Sequence, residues 1–163
     1  MVSFKSFAIA LVTVIATSIG VQAERHTVHF DNRCGRGTPR LIQGGNVLST
    51  GGDYTINGPL RGAIAYLQTG SCGFNGEGCT LIETTLINPT PGRPGSGSST
   101  DISLIPPLKF SVTSGFGYYN GCNGAGANCN NANCPTAFRV PSDTHVQVAC
   151  QQNDVNLAIT FCM

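Results

Sequence analysis

Apolar positions along this chain fall in short runs separated by glycine, proline and asparagine. No segment sustains the i, i+3, i+4, i+7 spacing of an amphipathic helix beyond a turn or two. The runs are rich in β-branched and aromatic residues and predict strands over 27–30, 53–56, 63–67, 81–86, 102–105, 109–112, 145–149 and 157–161. The last two alternate. Val146 and Val148 share one face, as do Leu157, Ile159 and Phe161, and these sets are expected to pack inward while Gln147, Ala158 and Thr160 face the other way. This number of short strands predicts an all-β domain, a β-sandwich or flattened barrel.

Two stretches read as loops. Residues 88–100, NPTPGRPGSGSST, hold prolines that cannot join a ladder and small polar side chains that cannot form a core. Residues 115–135 are rich in glycine and asparagine but carry three cysteines and the pair Tyr118-Tyr119, so disulfides are expected to shape them. At the start, Lys5, the apolar run 7–19 and the small-residue end Val21-Gln22-Ala23 read as a signal peptide over residues 1–23. Residues 24–163 are then expected to form a single domain. The leader is too short to read as a membrane span, and no later stretch approaches about 18 apolar residues, so a secreted, extracellular protein is expected.

The cysteines sharpen that expectation. All eight, Cys34, Cys72, Cys79, Cys122, Cys129, Cys134, Cys150 and Cys162, lie beyond residue 23, and an even count in an oxidising compartment implies four disulfides, with spacing alone leaving their pairing open. Zinc is disfavoured, because no Cys-x-x-Cys pair occurs and the three histidines are not set at ligand spacing. No metal or other cofactor is expected. If cleavage follows Ala23, His26 stands third from a free amine, the arrangement that can hold square-planar Cu(II), although pairing within a strand is the plainer role for it. Without Lys5 the basic and acidic residues balance, and the remaining arginines and Lys109 are scattered, which argues against nucleic acid. A neutral polymer or a protein partner suits this surface better. Prolines flanking several strands discourage edge pairing, so a monomer is expected.

In order along the chain, several motifs resemble those of the thaumatin-like proteins, a family that includes pathogenesis-related antifungal proteins and members that bind or weakly hydrolyse β-1,3-glucan. Phe30-Asp31-Asn32-Arg33-Cys34 is similar to the family's opening strand. Leu48 to Asn57 resembles its L-x-x-G-x-S-W-T-I-N segment with Tyr54 in place of tryptophan, and Cys72 to Cys79 resembles its short cysteine loop. Leu81-Ile82-Glu83-Thr84-Thr85-Leu86 and Asp101-Ile102-Ser103-Leu104 are similar to two of its strands, and Cys134-Pro135-Thr136-Ala137-Phe138, Asp143, Cys150 and Ile159-Thr160-Phe161-Cys162 to its ending. The resemblance implies a thaumatin-like β-sandwich with bridges Cys34–Cys162, Cys72–Cys79, Cys122–Cys150 and Cys129–Cys134. Only four residues separate Cys129 from Cys134, where larger members carry a disulfide-rich second domain.

Larger members have a cleft of one arginine, one glutamate and three aspartates. Glu83, Asp101 and Asp143 fall on matching motifs, whereas Pro106 stands near the second aspartate's place and Ile64 or Gln68 near the basic one. Glu83 and Asp101 are the candidate catalytic pair, since glycoside hydrolysis needs one carboxyl held protonated and another ionised. Glu83, Asp101, Asp143, Tyr118 and Tyr119 are the candidate ligand-binding set: carboxylates accept from sugar hydroxyls, and tyrosine rings offer a flat apolar face. Phe116 and Tyr66 could serve likewise, though Tyr66 on its alternating strand is expected in the core. The leading expectation is binding of cell-wall β-1,3-glucan, with an antifungal or wall-remodelling role and association with the cell wall. The rivals are a weak endo-β-1,3-glucanase using Glu83 and Asp101, and a secreted effector or inhibitor that meets a protein through loops 88–100 and 115–133.

Overall fold

The final strand shows how the chain builds its layers. In β12 (Asn156–Phe161) the odd positions Leu157, Ile159 and Phe161 are fully buried while their neighbours are half-exposed, as a two-residue period requires of a strand with one covered face. It runs parallel to β1 (Arg25–Asn32), with Phe30 opposite Ile159, and the rings of Phe30 and Phe161 stack with centroids 6.2 Å apart. The computed structural model describes residues 23–163; the predicted signal peptide, apart from Ala23, lies outside the described residues.

Twelve strands among these residues form two mixed sheets. The first has the order β4 (Tyr54–Asn57), β1, β12, β8 (Ser114–Tyr119) and β9 (Gly126–Cys129). The second has the order β10 (Ala137–Phe138), β7 (Ser98–Ser103), β6 (Leu81–Leu86), β5 (Leu60–Gln68), β2 (Thr38–Gln43) and β3 (Asn46–Ser49), with β11 (Val148–Cys150) also pairing with β7. Between them, Val28, Phe30, Leu157, Ile159 and Phe161 meet Leu41, Leu60, Leu67, Ile82, Leu86 and Ile102. Burying each such side chain contributes about 1.5–3 kcal/mol.

A smaller cluster lies outside the second sheet, where Ile42, Tyr66 and Leu81 are covered, with Ile64, Cys72 and Leu108 packed against them. The Cys72–Cys79 loop forms part of this cover, and the Tyr66 hydroxyl donates to the Phe74 carbonyl at 2.8 Å. Gly76 has φ 84°, and a Cβ there would run into Leu81, so only glycine lets the loop sit this close.

All four bridges are those the resemblance implies: Cys34–Cys162, Cys72–Cys79, Cys122–Cys150 and Cys129–Cys134. The stapled all-β sandwich is thus the fold observed.

Several local expectations are corrected. Residues 109–112 are not a strand. They run beside the end of the cysteine loop and exchange bonds with hydroxyls, Ser111 N donating to Thr80 Oγ1 at 2.9 Å and Thr80 N to Ser111 Oγ at 3.1 Å. Within 145–149 only the end is extended, because Thr144–Val146 form a 3-10 turn. Residues 115–135 are no mere loop, since β8 lies inside the first sheet between β12 and β9. Its glycines mark close approach rather than turning: a Cβ at Gly126 would strike the Phe116 carbonyl, and one at Gly115 the Asn128 side chain. Strands β2 and β3 escape the sequence pattern because Pro39 interrupts the first. They are joined by Gly44 and Gly45, both with positive φ, the two-residue hairpin turn that matches strand twist.

Candidate functional site

Beyond the covered cluster, the same strands carry a polar patch. Glu83 on β6 and Asp101 on β7 are direct cross-strand partners, and Ile64 on β5 pairs with Glu83 on its other side. With Gly62, Thr85, Ser99 and Gln147 they line a cavity of about 160 Å³ on the outer face of the second sheet. Glu83 is exposed, whereas Asp101 is only 7% exposed. Burial first, and the charge of Glu83 second, push the Asp101 carboxyl up to about 7, against a smaller lowering influence of the nearby Gln147 side chain. Two buried side-chain oxygens, Ser99 Oγ and Asp101 Oδ1, have no hydrogen-bond partner among the described residues. They belong to alternate residues of one strand, so they face the same way. A carboxyl that keeps its proton near neutrality can donate a hydrogen bond, while an exposed carboxylate beside it accepts, and together they suit a ligand hydroxyl that does both.

The other candidates do not join this pair. Asp143 precedes the 3-10 turn, and its Oδ2 accepts the backbone N–H groups of Arg139 at 3.0 Å and Val140 at 3.2 Å. Those bonds hold its carboxyl below the usual carboxylate range. It does not line the cavity.

Tyr118, expected to meet ligand, is instead 3% exposed on the inner face of β8. Its hydroxyl donates to the Val148 carbonyl at 3.0 Å and lies 3.0 Å from Thr100 Oγ1. Thr84 Oγ1 lies 2.7 Å from that same Thr100 oxygen, giving a buried hydroxyl chain across the core. Burial pushes the Tyr118 phenol up to about 12. Tyr119, one residue on, points outward from the first sheet opposite Asn156, on the far side of the sandwich from Glu83. Partial burial, then the charge of Asp53, raise its phenol.

Phe116 and Tyr66 are buried, and all cysteines are bridged. His145 sits in the 3-10 turn, and His29 is exposed with Nδ1 2.6 Å from Asp53 Oδ1. His26 is buried in β1, its Nδ1 2.6 Å from the Val155 carbonyl and its Nε2 3.0 Å from Glu24 Oε1. With both ring nitrogens engaged, neither is offered to copper in this fold. Ser99 and Gln147 were missed as site residues. The sequence signal for Gln147 was its outward phase; Ser99 was hidden in a stretch read wholly as loop.

Two mixed sheets closed on an apolar core, the first and last strands stapled together and no thiol left free, define a disulfide-bridged β-sandwich of the kind built for oxidising surroundings. In sequence the chain is similar to a thaumatin-like protein. It is 33% identical over 92 residues to thaumatin-like pathogenesis-related protein 2 of Avena sativa, covering 56% of this chain and 46% of that one. The chain thus spans about half the length of that curated relative. No family model matches. Among solved structures, the protein elicitor MoHrip2 from Magnaporthe oryzae shares the fold, with a TM-score of 0.51 at 13% identity over 86% of this chain and 100% of that one.

Proposed function

We propose that this is a secreted, defence-related protein that binds a neutral cell-wall polysaccharide, β-1,3-glucan foremost, through the Glu83–Asp101 patch. The observation that carries the reading is the pair of orphaned buried oxygens, Ser99 Oγ and Asp101 Oδ1, beside the exposed Glu83 carboxylate. Leaving a buried polar group without a partner costs about 1–3 kcal/mol, and a sugar hydroxyl offered at the cavity mouth would relieve it. The pathogenesis-related name of the oat relative supports a defence role. The cavity is small: at about 160 Å³ it falls below the roughly 300–1,000 Å³ of pockets that engulf a ligand. It suits the edge of one sugar on a polymer lying across the sheet.

A second reading, hydrolysis, is favoured by one feature. Asp101 is pushed up to about 7 beside an exposed partner carboxyl, as an acid–nucleophile pair requires. Direct cross-strand opposition puts Cβ atoms about 4.5–5.5 Å apart, near the ~5–5.5 Å carboxyl spacing of retaining glycosidases. Against it stands the absence, among the described residues, of a second wall to distort a sugar ring.

Sedimentation with insoluble β-1,3-glucan separates the readings. Retention of the protein, reduced in Asp101→Asn and Glu83→Gln, supports binding; passage of the parent protein into the supernatant refutes it. Release of reducing sugar that vanishes in Glu83→Gln moves the assignment to hydrolysis. If neither occurs, a protein-binding effector becomes the better reading.

A further inference from the structure

The outer face of the first sheet holds a second cavity, of about 320 Å³, lined by Arg25, Thr27, Asn120, Asp154 and Asn156. Every lining side chain is polar, and the cavity is twice the size of the one beside Asp101. Its framework is locked by bonds that each use one side of a lining group. Asp154 Oδ1 accepts from Arg25 N at 3.0 Å and from Asn88 Nδ2 at 3.1 Å. Asn156 Oδ1 accepts from Thr27 N at 2.8 Å, and Asn120 Nδ2 donates to the Asp154 carbonyl at 3.3 Å. Asn120 and Asp154 both hold left-handed backbone, at φ 57° and 55°, so two unusual conformations converge on this one cavity.

The groups left over are complementary. Asp154 Oδ2 and Asn120 Oδ1 remain as acceptors, while Asn156 Nδ2 and the Arg25 guanidinium remain as donors. A free anion would meet the Asp154 carboxylate and a free cation the Arg25 guanidinium, so the lining disfavours strongly charged ligands. Neighbouring hydroxyls on a sugar ring both donate and accept, which is what alternating donors and acceptors need. Beside the cavity, Tyr119 stands directly across from Asn156 on the same outward face. It thereby offers a ring on which a pyranose can lie.

We infer that Arg25, Asn120, Asp154, Asn156 and Tyr119 form a second saccharide subsite, on the side of the sandwich opposite Glu83 and Asp101, for an uncharged sugar with adjacent hydroxyls. It does not depend on the Glu83–Asp101 reading. Two sugar sites facing away from each other would let one molecule hold two polymer strands.

The test is a titration of the 15N-labelled secreted protein with laminarihexaose, cellohexaose and N-acetylchitohexaose in turn. With one of these probes, amide signals of residues 119–121 and 153–157 are expected to shift. In Asp154→Asn, which keeps an oxygen for the backbone bond and removes the charge, affinity read at those signals should fall roughly tenfold. Tyr119→Ala should weaken binding as well. Unmoved signals at 119–121 and 153–157 with all three probes, or shifts there indifferent to both substitutions, overturn the subsite. Silence at 83–85 and 99–101 instead counts against the Glu83–Asp101 reading alone.

Discussion

The outer face of the second sheet is divided between two regions that share strands β5 and β6. Tyr66 and Leu81 face outward beneath the Cys72–Cys79 loop and are nearly inaccessible, whereas two residues along β6 from Leu81 stands the exposed Glu83. At one end an apolar set is capped by a stapled loop; at the other the exposed Glu83 carboxyl stands beside the buried Asp101 carboxyl and the buried, unpartnered Ser99 Oγ. The strands themselves impose no difference, since both sets occupy the same phase of the same ladder. What differs is the cover: Tyr66 and Leu81 lie beneath the Cys72–Cys79 loop, and Glu83 does not.

Three perturbations bear on that contrast. The largest loss is expected from Tyr66→Ala, which removes a ring beneath the loop together with its hydrogen bond to Phe74. Urea denaturation should show a loss of about 3–5 kcal/mol, while Tyr66→Phe, which keeps the ring, should lose only about 0.5–1.5 kcal/mol. Similar losses for both would mean that the loop covers nothing of consequence.

At the open end the sign reverses. The Asp101 carboxyl is held at about 7 in the fold against an ordinary 3.8. Between about pH 4 and pH 7 the unfolded chain releases this proton while the folded chain retains it. The contribution of Asp101 to stability is therefore present below about pH 4 and declines as pH rises, levelling off above about 7. Asp101→Asn should lack this decline and be the more stable protein at pH 8, by at most about 4 kcal/mol. The difference between the two proteins, measured at pH 4 and pH 8, isolates this group; a constant difference would contradict the burial argument. Smallest is the joint change Cys72→Ser and Cys79→Ser. That bridge spans seven residues, so loop-closure entropy assigns it about 2 kcal/mol. Glucan retention should survive it if the two regions are independent, and parallel loss of retention would join them.

Much of this architecture was legible beforehand because it rests on local period and on cysteines. The alternation of Leu157, Ile159 and Phe161 named the inner face of β12, and the motif order carried all four bridges. The failures share a cause. Gly115 and Gly126 look like turn residues in one dimension but are ladder residues whose lack of a side chain lets neighbours approach, a fact that exists only once the partner strand is present. The same limit governed the site. That Glu83 and Asp101 are cross-strand partners follows from register, which hydrophobic pattern alone does not supply for strands so far apart in the chain. Tyr118 and Tyr119 were equivalent as letters, yet strand phase sends one into the core and the other to the surface.

The Cys34–Cys162 bridge has a mechanical consequence. Because β1 and β12 are parallel neighbours and this bridge joins their far ends, a force applied between Arg25 and Met163 travels along β1, crosses the sulfur atoms and leaves through a single residue. Everything from Gly35 to Phe161 lies off that load path. Under tension the distance between those two positions in the oxidised protein can reach only about ten extended residues, roughly 35 Å, and β1 is already extended, so little lengthening is left before it is taut. Most of the sandwich, including the outer face of the second sheet, is shielded from tension applied at those two positions.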